Sequence, residues 1–408
     1  MKPLRVTSII PSRTAGGIGP VCFFGADALA RLTDWEVTLL SLHDPPSEET
    51  SGSGLRLVSL GLEREIPSRF LQWLRSHPQD LVISSGVSHI EPAFPYLPEA
   101  TRHLVQIHDC LRRYHQVAIN NATNIDGVVC VAHHIETLLK QPLASTGFTG
   151  LLRTIHNGAR FPPLESRSRH EGPLRLLFLG RTDAFKGVFD LPPLLKELRR
   201  IGVPATLSIV GPIDAYLMAQ FAKAGVADQV DWKGVLPHEE CFQQAAACEL
   251  LLMPSRKEPF GMVTIEAMSM GCVPMGYDVV SGTTEIVRQG RTGILVPLGN
   301  LREWARQIRI LDQDRARLEE LSRNAIDDSR QRFDADRMGG ELGILIEEVM
   351  RRERATLERR APETFLEALP ESPSKARGYQ VVPPGIRASI RREIGKRPWL
   401  CNWILNRL

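Results

Sequence analysis

Read for hydrophobicity alone, the chain alternates short apolar runs with amphipathic stretches. Val6–Ile10, Glu36–Leu42, Leu81–Ser84, Thr101–His108, Gly127–Val131 and Leu151–Ile155 have the length and aliphatic content of strands. Apolar residues at helical spacing mark Val21–Leu32 and Ile66–Ser76, the latter with Phe70, Trp73 and Leu74 on one face. His43–Gly54, rich in Ser, Gly and Pro, reads as a loop. Arg160–Pro173 is polar and proline-bearing, the composition of an interdomain linker. The alternation then restarts, with strands at Leu174–Leu179, Ala205–Val210, Val230–Lys233, Glu249–Met253 and Cys272–Met275 and a helix at Phe189–Ile201. Strand, loop, helix and strand between Glu249 and Met275 form a βαβ unit, which requires parallel strands. Helices at Leu301–Leu311, Asp314–Arg332 and Asp336–Arg359 complete the pattern. The fold class expected is α/β, with two doubly wound, Rossmann-like domains at 1–165 and 172–335, a terminal helix at 336–360 and a tail at 361–408.

Composition narrows the classes. A length of 408 residues suits two domains, and 43% hydrophobic with 24% charged residues is globular. A net charge of +3 gives no field of the kind that binds nucleic acid. No apolar run approaches the roughly 20 residues a spanning helix needs, and Val6–Ile10 is too short for a signal-peptide core. Seven scattered cysteines show no C-x-x-C and no zinc spacing, so no metal site is expected. Their odd number fits reduced thiols and a cytoplasmic location. The tail carries eight Lys and Arg against four Glu, a net +4 that exceeds the charge of the whole chain. With Trp399, Leu400, Trp403 and Ile404 beside these charges, residues 387–408 suit either peripheral contact with an anionic inner membrane face or docking on the protein itself.

Candidate chemistry centres on Glu249–Asn300. Glu266 is the only charged side chain between Pro259 and Tyr277, among Met262, Val263, Ala267 and Met270. A carboxylate in apolar surroundings must find a partner or stay at a wet edge. A hydroxyl-rich ligand would serve, and so would plain solvent. Elsewhere, Pro11–Gly19 joins the first strand to the first helix through Gly16, Gly17 and Gly19, so backbone amides can approach a phosphate. As a dinucleotide fingerprint the loop is poor: Cys22 stands where the third glycine belongs and Pro20 removes an amide, although Asp44 is placed to act as a ribose acid. His108 ends a strand, where ligands gather in parallel sheets. His103 points to the opposite face and cannot share a metal with it. Arg181 and Lys186, on the first loop of the second half, combine a fork and a point charge that suit a diphosphate.

Glu258, seven intervening residues and then Glu266, set in SRKEPFGMVTIEAMSMGCVPM, resemble the signature of retaining GT-B glycosyltransferases of family 4. Gly180-Arg181, Lys186-Gly187, Ile209-Val210-Gly211, Asn157-Gly158 and the run Gly290 to Val296 occur in matching order, and the resemblance spans about residues 4 to 352. It implies two Rossmann-like domains facing a central cleft, the first on the acceptor side and the second on the donor side, with the terminal helix packing back on the first. It implies a donor-binding set of Gly16, Gly17, Arg181, Lys186, Glu258, Phe260, Gly261, Met262 and Glu266. Within it, Glu266 would accept from ribose hydroxyls, Glu258 from sugar hydroxyls, and the amides of Phe260, Gly261 and Met262 would donate. Arg181 and Lys186 would hold the diphosphate, and His108 would lie against the transferred sugar.

The reaction implied is metal-independent transfer of a sugar, with retention, from a nucleoside-diphosphate sugar to a glycan, lipid-linked or small-molecule acceptor. No cofactor is implied. Epimerase or hydrolase chemistry and non-catalytic nucleotide-sugar binding are the alternatives. His133 and Arg160 depart from the family pattern, which usually has serine and an acidic residue there.

Overall fold

The computed structural model describes residues 2–14, 17–164, 172–353 and 360. The chain divides into two units, one formed by the residues up to Arg160 together with a segment from Phe333 onward, the other by Phe161–Arg332. In the first unit, β1 (Arg5–Ile10), α1 (Ile18–Leu32), β2 (Glu36–Ser41), β3 (Ser47–Thr50), β4 (Arg56–Ser59), α2 (Ile66–Ser76), β5 (Leu81–Ser85), β6 (Arg102–Ile107), α3 (Arg112–Asn120), β7 (Gly127–Cys130), α4 (His133–Ala144) and β8 (Leu151–Thr154) follow in order. They build an eight-stranded sheet in the order β3-β4-β2-β1-β5-β6-β7-β8. Central strands such as β5 are buried along their whole length, as helices on both faces of a parallel sheet require.

The expected loop at His43–Gly54 is corrected by β3, which pairs antiparallel with β4, Ser47 opposite Ser59 and Thr50 opposite Arg56. All four of its residues, Ser-Glu-Glu-Thr, are exposed. This edge strand is made by backbone pairing and buries no side chain, so no hydrophobic pattern announces it.

The second unit holds β9 (Leu174–Leu179), α5 (Leu191–Arg200), β10 (Ala205–Val210), α6 (Ala215–Ala224), β11 (Val230–Gly234), α7 (His238–Ala247), β12 (Leu250–Met253), α8 (Met262–Ser269), β13 (Val273–Tyr277), α9 (Gly282–Ile286), β14 (Ile294–Val296), α10 (Leu301–Gln313) and α11 (Arg315–Arg332). Its six strands are all parallel in the order β11-β10-β9-β12-β13-β14. Chain direction across the sheet therefore reverses between β9 and β12, the switch point where doubly wound sheets leave a crevice beyond the strand ends. Leu176, Phe178, Leu194, Leu198, Met275 and Trp304 are among the core side chains that fix this sheet against its helices.

The last described helix, α12 (Ala335–Arg351), belongs to the first unit. It ends short of the expected Arg359, and residues 354–359 lie outside the described set. Asp334 caps it by accepting from the Asp336 amide at 2.7 Å, and Arg31 of α1 bonds Asp336 at 2.9 Å. The α1–α12 crossing is close because Gly339 has no side chain: a Cβ there would collide with the Cβ of Ala28. Gly339→Leu is therefore expected to lower unfolding stability by about 1–3 kcal/mol, the usual cost of overpacking. Chemical denaturation with far-ultraviolet circular dichroism checks this, and an unchanged midpoint would refute the close packing.

Candidate active site

The second unit assembles most of the expected residues at its switch point. After β9, the chain passes Gly180, at φ +142°, and enters a 3-10 turn at Ala184–Lys186. Asp183 caps this turn, its Oδ1 accepting from the amides of Phe185 at 3.1 Å and Lys186 at 3.2 Å. Gly187 follows at φ +68°, and a Cβ on it would overlap the carbonyl of Pro254 in the loop after β12. The loops after β9 and β12 thus touch backbone to backbone, which only glycine allows.

That approach brings the Lys186 Nζ to 2.7 Å from the Glu258 Oε2. The Glu258 side chain is 8% exposed and that of Lys186 23%, so this is a largely buried ion pair in which removal of either partner strands the other. Arg181 is different: its side chain is 72% exposed and its Nε lies 3.1 Å from Asp183. Arg256, in the same loop as Glu258, donates to both Asp190 oxygens at 3.0 and 3.1 Å, and the Tyr277 hydroxyl donates to the same carboxylate at 2.5 Å. Burial and the Asp190 charge push the Tyr277 hydroxyl pKa well up. This buried network clamps the β12 loop to the segment just past Lys186, a role no sequence pattern suggested.

Beyond Glu258 the chain turns sharply into α8. Gly261 is the N-cap at φ +116°, and no side chain caps the helix, so its first amides have no side-chain partner at that end. Phe260 is buried and Met262 half-buried. Gly282 holds this turn from the other side, its amide donating to the Glu258 carbonyl at 2.7 Å, and a Cβ on it would overlap Phe260. The Ser255 and Thr264 hydroxyls are buried with no hydrogen-bond partner among the described residues, an uncommon state that marks sites taking water or ligand.

Glu266, half-way along α8, has 15% side-chain exposure, and its Oε1 takes a 2.9 Å hydrogen bond from the His238 Nε2. The partner the carboxylate needs within its own unit is therefore a histidine at the start of α7. Sequence reasoning passed over His238, which lies 28 residues away on another helix. The bond to Glu266 raises the His238 pKa against the opposing effect of burial. The nearby Cys241 thiol is raised by burial and then by Glu266 and Glu240.

In the first unit, Gly16 lies outside the described residues. Gly17 is the N-cap of α1 at φ −87°, with open space where a Cβ would stand. Among the described glycines of this loop, the one that cannot be replaced is Gly19, whose Cβ would come within 2.5 Å of the Ser12 and Arg13 carbonyls. Asp44 is spent within the loop, accepting from the Ser12 hydroxyl at 2.5 Å, the Ser41 hydroxyl at 2.5 Å and the Arg13 amide at 2.6 Å. Three of its acceptor positions are thus taken up in ordering the loop itself, which weighs against the dinucleotide alternative. His108 follows β6 with its Nε2 3.7 Å from the Cys22 Sγ, and burial lowers its pKa to about 4. It is neutral near pH 7, able to donate or accept a hydrogen bond but not to act as a cation. Arg160 bonds Asp27 at 2.6 Å, where the family pattern carries an acid.

The His238–Glu266 bond has a definite pH signature. With the folded pKa raised above the ordinary 6.5, its stabilisation is complete below pH 6.5 and is lost as pH rises through the folded value. The His238 midpoint, followed by NMR of the ring protons, is expected above 6.5 in the native protein and near or below it in Glu266→Gln. A native midpoint at or below 6.5 would refute the bond.

Residues 164–328 match the family model described as Glycosyl transferases group 1. A glycogen synthase of Mycobacterium tuberculosis is 28% identical over 293 residues, 70% of this chain and 69% of its own. A D-inositol 3-phosphate glycosyltransferase of Streptomyces bingchenggensis is 29% identical over 224 residues, 49% of this chain and 48% of that one. Among solved structures, sucrose-phosphate synthase of Thermosynechococcus elongatus superposes with a TM-score of 0.71 at 19% identity, over 85% of this chain and 99% of that one. Anabaena HepE, in complex with UDP and glucose, gives 0.66 at 17%, over 85% and 100%. These two likenesses are of fold. Residues 164–328 of the second unit thus carry the match to the group 1 glycosyl transferases, and the chain has the GT-B fold of two Rossmann-like units.

Proposed function

We propose that this glycosyltransferase moves a hexose from a nucleoside-diphosphate sugar to an acceptor hydroxyl with retention at the anomeric carbon, in the making of a glycan, polysaccharide or glycolipid. The observation that carries the reading is the Lys186–Glu258 pair at the switch point of the second unit, with Glu266 eight positions further on. An ammonium has three donors, and Glu258 takes one. Lys186 can therefore keep its carboxylate partner and still donate to a diphosphate. Arg181, exposed on the same loop, adds a fork. Together they supply the positive charge that a departing diphosphate requires. Glu258 accepts from sugar hydroxyls, Glu266 from ribose hydroxyls, and the amides opening α8 donate to the donor's oxygens.

In the step proposed, the bond from the anomeric carbon to the diphosphate oxygen breaks and a bond to the acceptor oxygen forms on the same face. The acceptor proton passes to the leaving diphosphate, and charge develops on the sugar ring as in an oxocarbenium ion. No carboxylate is assigned as a nucleophile. His108, uncharged, is assigned to hydrogen bonding with the transferred sugar. The family match favours transfer over the epimerase or hydrolase alternative. No helix among the described residues is long and apolar enough to cross a membrane. The proposed peripheral contact falls on residues 387–408, outside the described set.

Lys186→Ala and Glu266→Ala are each expected to lower kcat/KM by about a hundredfold or more, measured by release of nucleoside diphosphate in the presence of acceptor. Because Lys186→Ala strands a buried carboxylate, the double variant Lys186→Met with Glu258→Gln is the control: stability returns and activity does not. Wild-type turnover in either single variant would overturn the site. Retention is checked by proton NMR of the first product formed, whose anomeric configuration is expected to match that of the donor; an inverted product would refute it.

A further inference from the structure

His238 is the first residue of α7, and Glu239 and Glu240 follow it in that helix's first turn. The N-terminal end of a helix is the least favourable place for a group that takes on positive charge, so His238 gains nothing from its own helix. Its ring is held by Phe242 one turn on, with centroids 5.0 Å apart, and Phe242 is itself buried. So oriented, its Nε2 meets the Oε1 of Glu266 at 2.9 Å. A carboxylate only accepts, so Nε2 carries the proton. Among the described residues, the second oxygen of Glu266, Oε2, takes no hydrogen bond. One oxygen is tied down and the other is left to accept.

We propose that His238 is a positioning residue for the sugar donor: by holding Oε1 it fixes the Glu266 carboxylate so that Oε2 accepts from the hydroxyls of the donor's ribose. The inference rests on the reading of Glu266 as the ribose acceptor. Without a partner a glutamate carboxylate turns about the single bonds of its side chain, and that rotamer freedom would be lost on binding. The tether removes that loss beforehand. It therefore bears on recognition of the ribose and not on the diphosphate, which other residues hold.

The test compares UDP with 2′,3′-dideoxy-UDP by calorimetry on the full chain, with the GDP and ADP pairs run alongside and the tightest-binding base used for the comparison. The wild type is expected to prefer the ribonucleotide by about tenfold or more, the worth of a hydrogen bond to a charged group. His238→Ala is expected to reduce that preference at least about threefold while leaving the dideoxy affinity unchanged. That unchanged affinity also reports that the variant is folded. His238→Gln, which restores a donor, should recover most of the preference, an outcome that a purely structural role for the histidine would not produce. A preference that is lost in Glu266→Gln but intact in His238→Ala overturns the inference alone. A wild type with no preference, or a Glu266→Gln variant that keeps it, removes the ribose assignment and the inference with it.

Discussion

The ion pair between Lys186 and Glu258 is the contact around which the loops at the second unit's strand ends are arranged. A carboxylate buried this far from water is tolerated only beside a positive charge, and the pair can form only because two loops meet without side chains between them. Gly187 against the Pro254 carbonyl makes that meeting possible. Arg256, Asp190 and Tyr277 then lock it from beneath. The cost of burying charge is thus converted into position: the same arrangement that neutralises Glu258 holds an ammonium with donors to spare at the end of a parallel sheet.

Topology decides where this happens. In a doubly wound sheet the connections from neighbouring strands leave on opposite faces only at the switch point, so only there do two strand-end loops diverge and leave room for a ligand. The second unit places β9 and β12 at that point, and the residues singled out by the family resemblance follow those two strands. The first unit repeats the arrangement with β1 and β5 as neighbours. Its loop after β1 is organised around Asp44 and the compulsory Gly19, with the neutral His108 at the end of β6. The two units therefore differ in electrostatic character at their strand ends. One presents the Lys186–Glu258 pair with the exposed Arg181 on the same loop, and the other an uncharged imidazole and a carboxylate held by two hydroxyls and Arg13.

Much of the architecture was legible in the order of residues. Leu174–Leu179 and Ala205–Val210 could be read to the residue: the first is aliphatic and aromatic apart from Arg175, and the second alternates buried Ala205, Leu207 and Ile209 with Thr206 and Ser208. The Glu258–Glu266 spacing and the glycine-flanked cations are local patterns, written in a few consecutive positions. The strand at Ser47–Thr50 was not legible, because an exposed edge is held by its backbone alone. Helix Arg112–Asn120 likewise went unread, with only His115 and Ala118 buried on it.

What the amino-acid order determined by itself was the alternation of strands and helices, the two-unit plan and the types of residue brought to the strand ends, since periodicity and glycine placement are properties of neighbours in the chain. Only the tertiary structure decided which of those residues meet. Lys186 found Glu258 across 72 positions, Arg256 found Asp190 across 66, and Glu266 found His238 across 28. Such pairings are fixed by strand order and by where backbones can approach, quantities that exist only once the sheet has formed.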